Sequence, residues 1–184
     1  MTAAKPLPEY YPDGDSRLAA FLAPRPRYNP WRQLWDQHPD YSVSDRDELP
    51  ERTWGLCFMR QKKIQVCNKL DVHRRRCTIA HELVHIERGP VPSNPKFAEI
   101  EEEIVDEIAS RRLIAFDDLV ATIRECPNGA PSAWAYRLWV DRPTLEARFK
   151  NLRQQEIEAI DAIKTEAQYL TRSVDLIHKL RADE

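Results

Sequence analysis

The stretch Arg76-Cys77-Thr78-Ile79-Ala80-His81-Glu82-Leu83-Val84-His85 decides how this chain is read. Its last five residues follow the pattern His-Glu-x-x-His, in which two imidazoles hold a zinc ion beside a carboxylate base. On a helix, positions i and i+4 stand one above the other on the same face. His81 and His85 can therefore reach one metal, with Glu82 beside the remaining coordination site. The surrounding residues predict that helix. Cys77 to Arg88 contains no glycine or proline, and Ile79, Leu83 and Ile86 recur at the spacing of an apolar stripe, roughly opposite the histidine pair. Arg88 in the last turn, Gly89 just past it and Pro90 after that make a stop signal.

A third ligand has to come from elsewhere, and histidines are scarce: outside the motif the chain has only His38, His73 and His178. A metzincin needs a glycine at position 88 and a histidine at 91, where this chain has Arg88 and Val91, and the inverted motif is absent. What remains is a site of two histidines and a glutamate from a downstream helix, with water in the fourth position. The segment Phe97 to Ala115 offers that helix, with Glu99, Glu101, Glu102, Glu103 and Asp106 in its first half. At about 100° per residue, Glu102 falls in line with Val105, Asp106, Ala109 and Leu113, a face expected to be buried, whereas Glu103 falls with Glu99, Glu107 and Ser110, a face expected to be solvated. Any one of these acids alone reads as part of an acidic surface helix. The preceding motif selects Glu102 as the metal ligand, and Asp106 as the acceptor of the second ring N–H of a liganding histidine.

The block from Arg76 to His85, followed by Glu102-x-x-Val105-Asp106-x-Ile108-Ala109 and Leu113-Ile114, resembles the ImmA/IrrE family of zinc metallopeptidases. The likeness covers roughly residues 54 to 120, with a weaker echo to 152. Val105 stands for the usual alanine, Ile108 for the usual phenylalanine, and Ala115-Phe116 for a common Met-Pro. The resemblance implies a gluzincin-like, zinc-dependent endopeptidase that relieves repression by cleaving a helix-turn-helix repressor, in immunity or stress responses. Glu82 would be its general base and His81, His85 and Glu102 its zinc ligands.

The expected fold is α+β and mainly helical, with a small hairpin beside the active helix and a C-terminal helical extension. Trp54 to Phe58 and Ile64 to Cys67 bracket the polar turn Arg60 to Lys63, which predicts the hairpin. Its edge could bind a substrate backbone by strand addition. Six of the 14 prolines lie in the first 30 residues, so residues 1–30 read as an extended arm with a short helix at Ser16 to Leu22. Residues 31–130 form the metallopeptidase domain, in which the helically spaced Trp31, Leu34 and Trp35 are expected in the core. Residues 131–152 read as two short helices joined near Asp141, with Asp141 as cap, Pro143 in the first turn, and Leu145, Phe149 and Leu152 as the apolar stripe. The family echo makes this pair a helix-turn-helix-like unit. Arg142, Arg148 and Lys150 are expected on its outer face, but Glu146 among them would repel phosphate, so DNA is a less favoured partner than protein. Residues 153–184 read as one long helix. Ile160, Ile163, Ala167, Leu170, Val174 and Ile177 form a seam that either folds back on the body or pairs two chains into a homodimer.

Composition removes several function classes. The net charge of -2 gives no general pull towards nucleic acid or anionic lipid. No stretch approaches the ~20 apolar residues of a membrane span, and Met1 to Pro6 lacks the apolar core of a signal peptide, so a cytoplasmic protein with no membrane partner is expected. Cysteines 57, 67, 77 and 126 have no paired spacing. Cys57 and Cys67 could face each other across the hairpin, although reduced core thiols suit the cytosol better. For the oxyanion, His73 and the Arg74-Arg75-Arg76 run are candidates by position only, and the arginines read more readily as a solvated charge run. The competing function class is a non-proteolytic regulator or anti-repressor that binds its partner through residues 131–180 around a structural zinc. Glu82 separates the two, because a structural site needs no base.

Overall fold

The computed structural model describes residues 27–46, 49 and 50, 53–166 and 168. The expected arm helix at Ser16 to Leu22, and the seam positions Ala167, Leu170, Val174 and Ile177, lie outside the described residues. Helix α1 (Pro30–Gln37) starts at Asn29, whose side chain accepts from the backbone N–H groups of Trp31 and Arg32. Pro30 and Leu34 are its buried residues, whereas Trp35 is 63% exposed. That corrects the reading of Trp35 as core: an eight-residue helix presents one face to the body, and Trp35 lies at its margin against Trp31.

Three strands follow, β1 (Ser42–Arg46), β2 (Gly55–Phe58) and β3 (Lys63–Cys67), in the spatial order β1-β3-β2. The predicted hairpin is β2 with β3, antiparallel, with Cys57 opposite Ile64 and Gly55 opposite Val66. Cys67 therefore lies beyond Cys57, donating its N–H to the Trp54 carbonyl, and all four cysteines are free thiols. The parallel strand β1 was not foreseen. Its sequence Ser-Val-Ser-Asp-Arg has one apolar residue and is held mainly by backbone pairing to β3, so it carries little hydrophobic pattern.

Helix α2 (Val72–Arg88) begins one turn before the predicted start, because the Asp71 side chain caps the Arg74 N–H at 2.8 Å. It ends at Gly89, whose φ of 100° is a conformation that side chains disfavour. Helix α3 (Pro95–Leu113) is capped by Asn94 and has Pro95 in its first turn. Helices α4 (Phe116–Glu125), α5 (Pro131–Leu138), α6 (Arg142–Lys150) and a final helix α7 (154–166) complete the described chain.

Helix α2 is buried on several sides. Ile79 and Leu83 pack with Leu34, Ile64 and Val66 of α1 and β3; Val84 meets Val105 and Ala109 of α3; Cys77 and Ala80 join a core built by α3 to α7. The fold is α+β and mainly helical, as expected. The helix pair at 131–150 contributes Ala135, Leu138 and Leu145 to that common core, as α7 does with Ile160 and Ile163. Asp141 caps α6 by accepting the Thr144 N–H. Arg148, expected on the outer face, is 2% exposed instead: α7 lays Glu156 against it, and its guanidinium also donates to the Ile114 carbonyl. No helix among the described residues is long and apolar enough to cross a membrane.

Candidate metal centre

The two histidines of α2 and one carboxylate of α3 converge. His81 Nε2 lies 3.0 Å from His85 Nε2, and Glu102 Oε2 lies 3.3 Å from the first and 3.5 Å from the second. Among the described residues this is the cluster of histidine, cysteine and acidic donors close enough to share one ion. Four donors about 2.0–2.2 Å from a tetrahedral zinc stand about 3.3–3.6 Å apart, so a triangle of 3.0, 3.3 and 3.5 Å needs only slight expansion to admit it. Two ring nitrogens aimed at each other and at a carboxylate oxygen form a donor set suited to zinc, and the residues present fit that ion.

Asp106 takes its expected place: its Oδ1 is 3.1 Å from His81 Nδ1 and fixes the ring so that Nε2 faces the cluster. His85 Nδ1 is buried without a partner. Glu103, next to Glu102, is exposed and paired with Lys150 at 2.7 Å. Helical phase thus separates the two adjacent acids correctly. It misplaces Ser110, which is fully buried although it shares the face of Glu103, because α6 packs over the C-terminal half of α3 and leaves its first half open. The outer turn is tied to α2 by the Arg88 guanidinium, which forks onto Glu101 at 2.5 and 2.7 Å. Sequence reading counted Glu101 among the candidate acids; the structure gives it to that fork.

Charge within the cluster is strongly organised. Burial alone lowers the pKa of His81, but hydrogen bonds to Asp106 and Glu102 outweigh it and raise the value to about 10. Hydrogen bonds from His81 and His85 hold the Glu102 carboxyl well below its ordinary range, against the opposite effect of burial. Glu82, only 5% exposed, has its pKa raised by burial, while the two imidazoles pull it down and the backbone N–H of Cys57 stabilises its charged form. A proton acceptor with a raised pKa suits work near neutrality.

These residues open on a cleft of about 900 Å³. Its lining includes Trp54 to Gln61 on the β2 side, Pro90 and Val91 after α2, and Thr144 and Ala147 of α6. The oxyanion candidates taken from position alone do not line it. Arg76 is buried and donates to the Trp139 and Tyr28 carbonyls, contrary to a solvated run. Arg75 pairs with Asp45, Arg74 pairs with Asp71, and His73 stacks near Tyr136 and Trp139. The other outer cations of α6 are engaged as well, Arg142 with Glu146 and Lys150 with Glu103.

Sequence reasoning missed the intimate approach of β2 to Glu82. A Cβ at Gly55 would lie 2.4 Å from Thr78 Cγ2 and 2.7 Å from Glu82 Oε1. The sequence carried half of that signal, since a glycine inside a strand pattern marks close approach of some group without saying which. Compared with known proteins, the chain matches no family model, and it has no significant match among curated proteins or solved structures. The likeness to the ImmA/IrrE family therefore rests on the residues of its two motif blocks.

Proposed function

We propose that this protein is a zinc-dependent endopeptidase that cleaves a regulatory protein, a helix-turn-helix repressor being the substrate that the family resemblance implies. The observation that carries the reading is the placement of a buried carboxylate, Glu82, beside a His81-His85-Glu102 triangle that faces an open cleft. A structural zinc usually has four protein ligands and needs no base. Here three donors converge and a proton acceptor stands next to them.

Zinc held there would supply acidification of water to a pKa of about 7 and polarisation of the scissile carbonyl. Glu82 accepts a proton from the attacking water and delivers it to the leaving amine. Its buried setting keeps the carboxyl basic, and the Cys57 N–H keeps it oriented. Asp106 holds His81 in the tautomer that leaves Nε2 free. Strand β2 is an edge of the sheet, and Trp54 bonds to β3 through Cys67, so alternation turns the N–H and carbonyl of Gly55 and the carbonyl of Cys57 away from β3 and towards the cleft. An extended substrate can add to that edge by main-chain hydrogen bonds.

The test is to incubate zinc-loaded protein with a panel of helix-turn-helix repressors, with and without a chelator. Cleavage that the chelator stops supports the reading. Absence of metal after zinc-replete purification overturns it.

A further inference from the structure

The positioning of the base depends on a residue that has no side chain. We infer that Gly55 is a positioning residue for Glu82: the missing Cβ is the space in which the carboxylate sits. The inference rests on the proposed peptidase reading for its consequence, but its geometry stands by itself. Strand β2 passes so close to α2 that a Cβ at Gly55 would stand 2.4 Å from the Thr78 methyl, 2.7 Å from Glu82 Oε1 and 3.2 Å from Glu82 Cδ. Contacts under 3.0 Å require something to move.

The two neighbours differ in how they can yield. Thr78 is β-branched and sits within α2, so its methyl group moves about a single rotatable bond from a stiff backbone and has few rotamers to choose from. Glu82 carries its carboxylate at the end of three rotatable bonds. The flexible group moves first, and here that group is the base. Strand β2 thus shapes the seat of the base by an absent Cβ at Gly55. Gly55 has no need of its conformational freedom, since it lies in regular strand without positive φ. Space is what it provides.

A merely structural role predicts a different response to substitution. Gly55→Ala should lower the thermal midpoint, and the loss should shrink when Thr78→Ser removes the methyl and shrink again when Glu82→Ala removes the carboxylate. Neighbours in contact show such coupling, and separated ones add. Gly55→Ala combined with Thr78→Ser should fold and keep zinc affinity within about twofold of the parent by chelator competition. Its kcat should fall roughly 10²-fold at little-changed KM, as expected when a reacting group is misplaced by about 1 Å. Purely additive midpoints for Gly55→Ala and Glu82→Ala would overturn the contact. Restoration of full kcat by Thr78→Ser would overturn the positioning role and assign Gly55 to helix–strand packing. If the parent cleaves no substrate, the peptidase reading fails, and the stability cycle still decides whether Gly55 seats Glu82.

Discussion

At the scale of single residues, adjacent acids in one helix have unrelated tasks. Glu102 points at two imidazoles while Glu103 meets Lys150 in solvent. Glu102→Ala should remove a direct donor and greatly weaken zinc retention, and Asp106→Ala should cost the roughly 10 to 100-fold typical of a partner that only orients a liganding ring. Glu103→Ala should leave zinc affinity unchanged; chelator competition on the three variants measures this, and a large loss confined to Glu103→Ala would put the helical register wrong by one. Glu82→Gln should keep zinc content and folding, since the amide oxygen can still accept the Cys57 N–H, yet proteolysis should fall by a factor of at least about 10² because the amide takes no proton. Equal cleavage rates for variant and parent would remove Glu82 as the base. Spacing and phase made these residues legible: both depend on the 3.6-residue repeat, which any helix imposes regardless of its neighbours. Gly55 was not legible as a seat for Glu82, because the contact joins a strand to a helix more than 20 residues away and no periodicity links them.

At the scale of elements, what the sequence concealed is which side of an amphipathic helix a later element will cover. Ser110 was placed towards solvent by phase and Arg148 on an outer face with the other cations of its helix, and both are buried because other helices close over them. Helix α7 pins this arrangement. Glu156 accepts from Arg148 at 2.5 Å and from Arg111 at 3.2 Å, and Ile160 and Ile163 enter the main core. Of the two roles weighed for residues 153–184, this part of the helix takes the one of packing on the body. Glu156→Ala leaves Arg148, itself 2% exposed, without its carboxylate and should cost about 3 kcal/mol of unfolding free energy. Hydrogen bonds from Arg148 and Arg111, opposed by burial, lower the Glu156 pKa from 4.5 to about 2. A carboxyl with a depressed folded value binds its proton more readily when unfolded, so its contribution is fully present above about pH 4.5 and is lost as pH falls towards 2. Urea titrations between those pH values should show a steeper loss for the parent than for Glu156→Ala; parallel curves would show that the pair does not stabilise the fold.

At the scale of the whole molecule, the candidate metal centre joins two of its longest helices. His81 and His85 belong to α2, Glu102 to α3, and each helix packs into a different part of the core on its far side. The convergence of His81, His85 and Glu102 was readable because the motif is local and only Glu102 required a tertiary guess; β1 was unreadable because its one apolar side chain says little and its partner strand does the pairing. An ion held between α2 and α3 acts as a cross-link absent from the unfolded chain, so binding free energy becomes folding free energy. With free zinc at about 1,000 times its dissociation constant, the gain is about 4 kcal/mol. For a chain of this size, each kcal/mol moves the midpoint by about 2–4 °C, so zinc should raise it by roughly 10 °C and a chelator should reverse the change. Glu102→Ala should lose most of that increment, whereas Glu82→Gln should keep it, because the base is not a ligand. Calorimetry of the three proteins with zinc and with chelator decides the matter: a midpoint indifferent to zinc in the parent would mean that the triangle of donors holds no ion, and the proposed chemistry would fall with it.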